Sequence, residues 1–183
     1  DVPIVDYRRV DLAQLRPDII YIHNPYDGAN LVTTIAPEYY SDRLKACTDL
    51  LMYVPYYATS GAMGEGQALC PAYAHADYIV VQSEGLRHFF DKQVPLAKIV
   101  GLGSPKFDRV VRLCKHPPEP PAGWKEKMAG RTVYFYNTSL SGMLQDTALF
   151  FQKMRYVFRL FSGRKDACLL WRPHPLMRAT LES

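Results

Sequence analysis

Six short apolar runs, each closed by a polar turn holding Gly, Pro, Ser or Asn, limit what this chain can become. They are Asp18 to His23 (DIIYIH), Leu50 to Pro55 (LLMYVP), Asp77 to Gln82 (DYIVVQ), Lys98 to Gly103 (KIVGLG), Thr132 to Asn137 (TVYFYN) and Cys168 to Pro173 (CLLWRP). Their length and their β-branched and aromatic content predict strands, and continuous apolarity predicts strands buried on both faces. Helical patterns fall between them, over 37–48, 66–75, 83–93, 106–115 and 145–163. In the last of these, Leu149, Phe150, Met154, Val157, Phe158 and Phe161 recur at helical spacing. Ser83 reads as an N-cap. This alternation of strand and helix predicts an α/β chain of Rossmann-like parallel sheets with flanking helices.

One stretch interrupts the pattern. His116 to Trp124 (HPPEPPAGW) carries four prolines in nine residues, a composition that resists helix and strand and favours a stiff, extended connection. The expected organisation is an N-terminal, doubly wound domain over 1–115, a linker over 116–124, and over 125–183 the start of a second, incomplete domain. In such sheets ligands bind beyond the carboxyl ends of the strands, which selects the residues to inspect.

The formal charge of +4 is too small and too evenly spread for duplex DNA, and points instead to anionic small molecules or an anionic membrane surface. Cys47, Cys70, Cys114 and Cys168 are widely spaced among apolar neighbours and read as buried thiols of a reducing compartment. No apolar run reaches the ~18 residues that span a bilayer, and the first residues lack the layout of a signal peptide. A cytoplasmic chain is expected. Because it begins without Met and ends in TLES, which resembles a helix start, it is also expected to be a piece of something longer.

After the strands come His23-Asn24-Pro25-Tyr26-Asp27-Gly28, Tyr56-Tyr57-Ala58-Thr59-Ser60-Gly61, Ser83-Glu84, Gly103-Ser104-Pro105-Lys106-Phe107-Asp108, Asn137-Thr138-Ser139 and Arg172-Pro173-His174-Pro175. Hydroxyls, small residues and the cations Lys106 and Arg172 are what holds phosphates at helix N-termini. Neither a G-x-x-x-x-G-K-[ST] loop nor a G-x-G-x-x-G fingerprint occurs. No two histidines have metal-binding i, i+4 spacing on one helix, and neither a metal nor a cofactor is expected.

IVGLGSPKFDRV, VYFYNTSL and LLWRPHPL, in that order, together with HADYIVVQSEGLRHFF, resemble the CDP-glycerol glycerophosphotransferase family of teichoic acid polymerases. The resemblance covers roughly Ala74 to Leu176, and Arg-x-His-Pro is its most specific part. It implies a two-domain glycosyltransferase B-type architecture. It also implies transfer of glycerol phosphate, or a related group, from a CDP-glycerol-like nucleotide-diphosphate donor to a polymer or lipid-linked acceptor at the inner membrane face. On this resemblance His174, with Arg172 beside it, contacts the donor diphosphate. Thr138 and Ser139 form the hydroxyl turn, and Gly103, Ser104, Pro105, Lys106 and Asp108 occupy the Gly-x-Pro motif. Two prolines then aim the Arg172–His174 pair at the diphosphate.

The chain departs from the family where a Trp-His-Gly-Thr-Pro segment belongs, for YVPYYATSG has no histidine. His23, oriented by Asp27, is the expected substitute base. Asn137-Thr138-Ser139 also lacks the usual proline. Each residue has a plainer reading: His174 ends a strand and bonds the backbone, His23 to Gly28 is an ordinary turn, and Gly103 to Asp108 begins a helix. His75, His88 and His116 read as structural or exposed, and the tyrosines of 37–57 as core. A nucleotide-sugar glycosyltransferase and a non-catalytic nucleotide-binding remnant remain as alternatives.

Overall fold

The computed structural model describes residues 2–29, 34–58, 69–90 and 94–182. The chain divides into two compact units, residues 1–117 and 118–183. The division falls within the proline-rich stretch, where Pro117 to Pro121 takes neither helix nor strand.

The first unit runs α1 (Leu12–Leu15), β1 (Ile19–Ile22), α2 (Ser41–Ala46), β2 (Leu50–Tyr53), α3 (Pro71–His75), β3 (Tyr78–Val81), a 3-10 segment (Glu84–Phe90), β4 (Ile99–Gly101) and α4 (Pro105–Lys115). Its strands are all parallel and lie in the order β1-β2-β3-β4. The second unit has α5 (Trp124–Met128), β5 (Thr132–Asn137), α6 (Leu140–Gln145), α7 (Thr147–Phe161), β6 (Ala167–Arg172) and α8 (Met177–Glu182), with β5 and β6 parallel. The fold is α/β with Rossmann-like parallel sheets and flanking helices.

A doubly wound sheet needs a reversal of strand order, and the four described strands run consecutively instead. Right-handed crossovers in one direction place their helices on one face. That face carries the core, in which Leu51, Tyr53, Ile79 and Ile99 meet Leu44, Tyr73 and Phe90. Burial of each such side chain stabilises by about 1.5–3 kcal/mol. On the opposite face Ile19, Tyr21 and Tyr78 are exposed. Burial on both faces therefore holds for Val80 in β3 and fails for β1. It fails again for β5, whose Val133, Tyr134 and Phe135 are exposed, because only two strands are paired there.

The helix over 145–163 is shorter than the apolar pattern predicts, at Thr147–Phe161, whereas 106–115 is helical in full as α4. The 37–48 pattern splits into a 3-10 turn, Pro37–Tyr39, and α2, because Tyr40 is extended at φ −63°, ψ 151°. Of the 66–75 pattern the described part is helical from Pro71, and the 83–93 pattern is 3-10 as far as Phe90. Cys70 is buried and Cys47 and Cys168 are half-buried, while Cys114 is exposed on α4 where a buried thiol was expected. No helix among the described residues is long and apolar enough to cross a membrane.

Polar groups tie the amino ends of the strands. Thr48 Oγ1 donates to Pro17 O at 2.7 Å, and Asp77 Oδ2 accepts from Leu51 N and from Lys45 Nζ at 2.7 and 2.8 Å. Burial raises the Asp77 carboxyl, but the Leu51 N–H and the Lys45 ammonium together hold it below the usual carboxylate range. A depressed folded pKa contributes stability that is present above the unfolded value, near 3.8, and is lost as pH falls through the folded value. Asp77→Asn is expected to lower stability at neutral pH and to flatten the loss below pH 3.8, as read from urea midpoints across pH.

Gly101 is required by close approach. A Cβ there would lie 2.3 Å from the Glu84 backbone nitrogen, on the segment whose carboxylate accepts the Gly101 N–H at 2.7 Å. Gly101→Ala is expected to cost about 1–3 kcal/mol in chemical unfolding, a typical cost of overpacking. An unchanged midpoint would show that Glu84 yields freely.

Candidate functional site

Parallel strands deliver their turns to one edge of each sheet, and each unit gathers a polar cluster there. In the first unit a crevice of about 450 Å³ is bounded by Tyr21 in β1 and His23 just after it, Val54 to Tyr56 after β2, and Pro105 and Lys106 at the start of α4. Gly103, at φ +94°, makes the sharp turn that leads from β4 into α4. Its N–H donates to Val81 O at 3.2 Å. Ser104 is the α4 N-cap, its hydroxyl accepting the Lys106 N–H at 3.3 Å, and Asp108 stands in the helix's first turn. The turn chemistry proposed for Gly103 to Asp108 is thus present in full. Lys106 also reaches across the crevice, its Nζ donating to Tyr56 O at 3.3 Å.

His23 is exposed and shares this crevice with Lys106. Asp27 does not orient it. The Asp27 carboxylate is buried and accepts the Ser41 N–H at 3.0 Å and the Ser41 hydroxyl at 2.7 Å, which anchors the first turn of α2. No His23–Asp27 hydrogen bond occurs among the described residues. A carboxylate four residues after a histidine was a sound candidate partner, but backbone turning at Asp27, φ +49°, directs it to the helix. Of the turn after β2, Thr59, Ser60 and Gly61 lie outside the described residues.

Of the tyrosines here, those of 37–57 are expected in the core, with stacking on carbohydrate or lipid head groups as the other reading. Tyr53 and Tyr73 are indeed buried, their rings edge-on at 5.3 Å, and burial and neighbouring phenols push both hydroxyls up. Tyr21 and Tyr56 are exposed at the crevice instead. Their position two residues from one strand's His23 and three past another strand's end was the available signal.

The second unit joins its cluster through strand register. Asn137 pairs with Arg172, and the Thr138 N–H donates to Arg172 O at 3.2 Å, so the two turns share one edge. Thr138 is buried, with Trp171 Nε1 donating to its Oγ1 at 3.2 Å. That leaves the hydroxyl proton as the group Thr138 can offer. Ser139 is the exposed N-cap of α6, its Oγ accepting the Gly142 N–H at 3.3 Å. Arg172 is exposed and forms no ion pair among the described residues.

His174 is half-buried, and its Nδ1 accepts the Leu176 N–H at 3.2 Å while its carbonyl receives the Met177 N–H at 2.9 Å. The plain reading, a histidine that bonds local backbone, is therefore realised. It has a chemical consequence: with Nδ1 an acceptor, the proton of a neutral ring sits on Nε2, which becomes an oriented donor. Backbone fixation and ligand donation use opposite sides of one ring.

Among the described residues no three His, Cys, Asp or Glu side chains gather as a metal site would require. Comparisons with protein-family models, with curated proteins and with solved structures find no match. The functional reading rests on the motifs and on this geometry.

His174→Asn separates the two roles of the ring. An Asn oxygen replaces Nδ1 as acceptor for the Leu176 N–H, but its short amide does not reach where the Nε2 proton stood, whereas His174→Ala removes both. The expected result is near-parental thermal melting for Asn and a lower melting temperature for Ala; equal melting losses would remove the backbone role.

Proposed function

We propose that the chain is part of a transferase that moves glycerol phosphate, or a related group, from a CDP-activated donor to an acceptor hydroxyl, with the second unit holding the donor diphosphate. The observation that carries this reading is the shared edge at the carboxyl ends of β5 and β6, where Thr138, Ser139, Arg172 and His174 stand together. Hydroxyls, a guanidinium without an ion-pair partner among the described residues and an oriented imidazole N–H are the donors a diphosphate needs. Arg-x-His-Pro and the hydroxyl turn also resemble the glycerophosphotransferase family at these positions.

In the proposed step an acceptor hydroxyl oxygen attacks the donor's β-phosphorus in line. The new P–O bond forms as the bond to the cytidine monophosphate oxygen breaks, and the hydroxyl proton passes to a base. Arg172, His174 and the Thr138 hydroxyl neutralise charge on the diphosphate. The acceptor is proposed to be a polymer or lipid-linked chain, with the protein peripheral at the inner membrane face.

Calorimetric titration with CDP-glycerol, CDP and UDP tests the donor site. Micromolar binding of the two cytidine ligands is expected, weaker for UDP, and about tenfold or more weaker in Arg172→Gln and His174→Asn, the usual cost of losing a charge-assisted hydrogen bond. Absence of cytidine binding by the folded chain would sink the donor assignment, and equal UDP binding would favour the nucleotide-sugar alternative.

A further inference from the structure

The second unit contains a cavity that the diphosphate reading touches only at His174. It measures about 510 Å³ and lies between α7, α8 and the Trp171 to Pro175 end of β6. Small-molecule sites commonly span about 300–1,000 Å³. Met154 and Met177, both buried, contribute to its lining. The rings of Phe150, Phe151, Phe158 and Trp171 form much of the rest, with Phe158 and Trp171 edge-on at 5.2 Å.

The lining is elongated. Phe150, Met154 and Phe158 follow one another at four-residue steps, which at the α-helical rise gives an apolar wall about 12 Å long. A flexible chain matches such a wall better than a compact ring, and thioether side chains adapt readily to one. The charged lining is two arginines and one carboxylate. Arg178 is paired with Glu182 at 2.8 Å, while Arg155 has no ion-pair or hydrogen-bond partner among the described residues. His174 also lines the cavity, held through Nδ1 and with Nε2 left to donate.

We propose that this cavity binds a single-chain anionic amphiphile, an acyl or prenyl chain along α7 with its carboxylate or phosphate head on Arg155 and His174. Apolar walls take the chain, and the unpaired guanidinium selects an anion over a neutral alcohol. A free amphiphile and one chain of a membrane lipid share this chemistry. The site shares His174 with the proposed donor site, and its apolar wall and Arg155 do not depend on that reading.

The test uses the whole chain carrying Trp124→Phe, which leaves Trp171 as the sole tryptophan of the two. Monomeric dodecyl phosphate, dodecanoate and dodecanol are titrated while Trp171 emission and calorimetric heat are read. A saturable blue shift at one ligand per chain is expected for the two anions, with dodecanol about tenfold weaker, and Arg155→Gln is expected to erase that preference. Leu181→Phe, at an exposed lining residue, is expected to block binding while leaving the far-UV spectrum and CDP titration unchanged. No saturable shift, or unaltered binding in Leu181→Phe, would overturn the proposal. A shift seen only with phosphatidylglycerol vesicles and never with monomeric amphiphile would overturn it too, assigning Trp171 to a membrane surface instead.

Discussion

Parallel pairing of strands is the constraint on which the rest of this molecule depends. A parallel neighbour can be reached only by crossing back along the sheet, so every strand ends at the same edge as the one before it. His23, Tyr56 and Lys106 come from three distant stretches yet bound one crevice for this reason. Asn137 and Arg172, thirty-five positions apart, become register partners by the same rule, which sets the hydroxyl turn beside the Arg-Pro-His-Pro turn.

The consecutive strand order adds a second consequence. With crossovers on one side, the first unit concentrates its core between one sheet face and the short helices over it, and leaves Ile19 and Tyr21 uncovered on the other. The same geometry presses the 3-10 segment onto the end of β4, where Gly101 admits the Glu84 backbone. Packing and turn chemistry are thus one problem at that corner.

His174 shows how a structural and a chemical role coexist in one side chain. Its Nδ1 bond to the Leu176 N–H fixes the ring, and a fixed ring is a better donor than a free one because less rotational freedom is lost when a ligand arrives. Asp27 shows the opposite case. Its carboxylate is already held by two Ser41 donors in a buried place, and a group so engaged has little left for a neighbouring imidazole.

Local composition determined the strand positions, the proline-rich stretch and the Ser104 cap, because each depends on residues close together in the chain. Hydroxyl and cationic turns at strand ends were legible for the same reason. Tertiary structure alone decided the strand order, which faces stay uncovered, the partner of Asp27 and the cavity beside Trp171. Those depend on contacts between distant segments, and an apolar residue carries the same local signal whether its neighbour is another side chain or water.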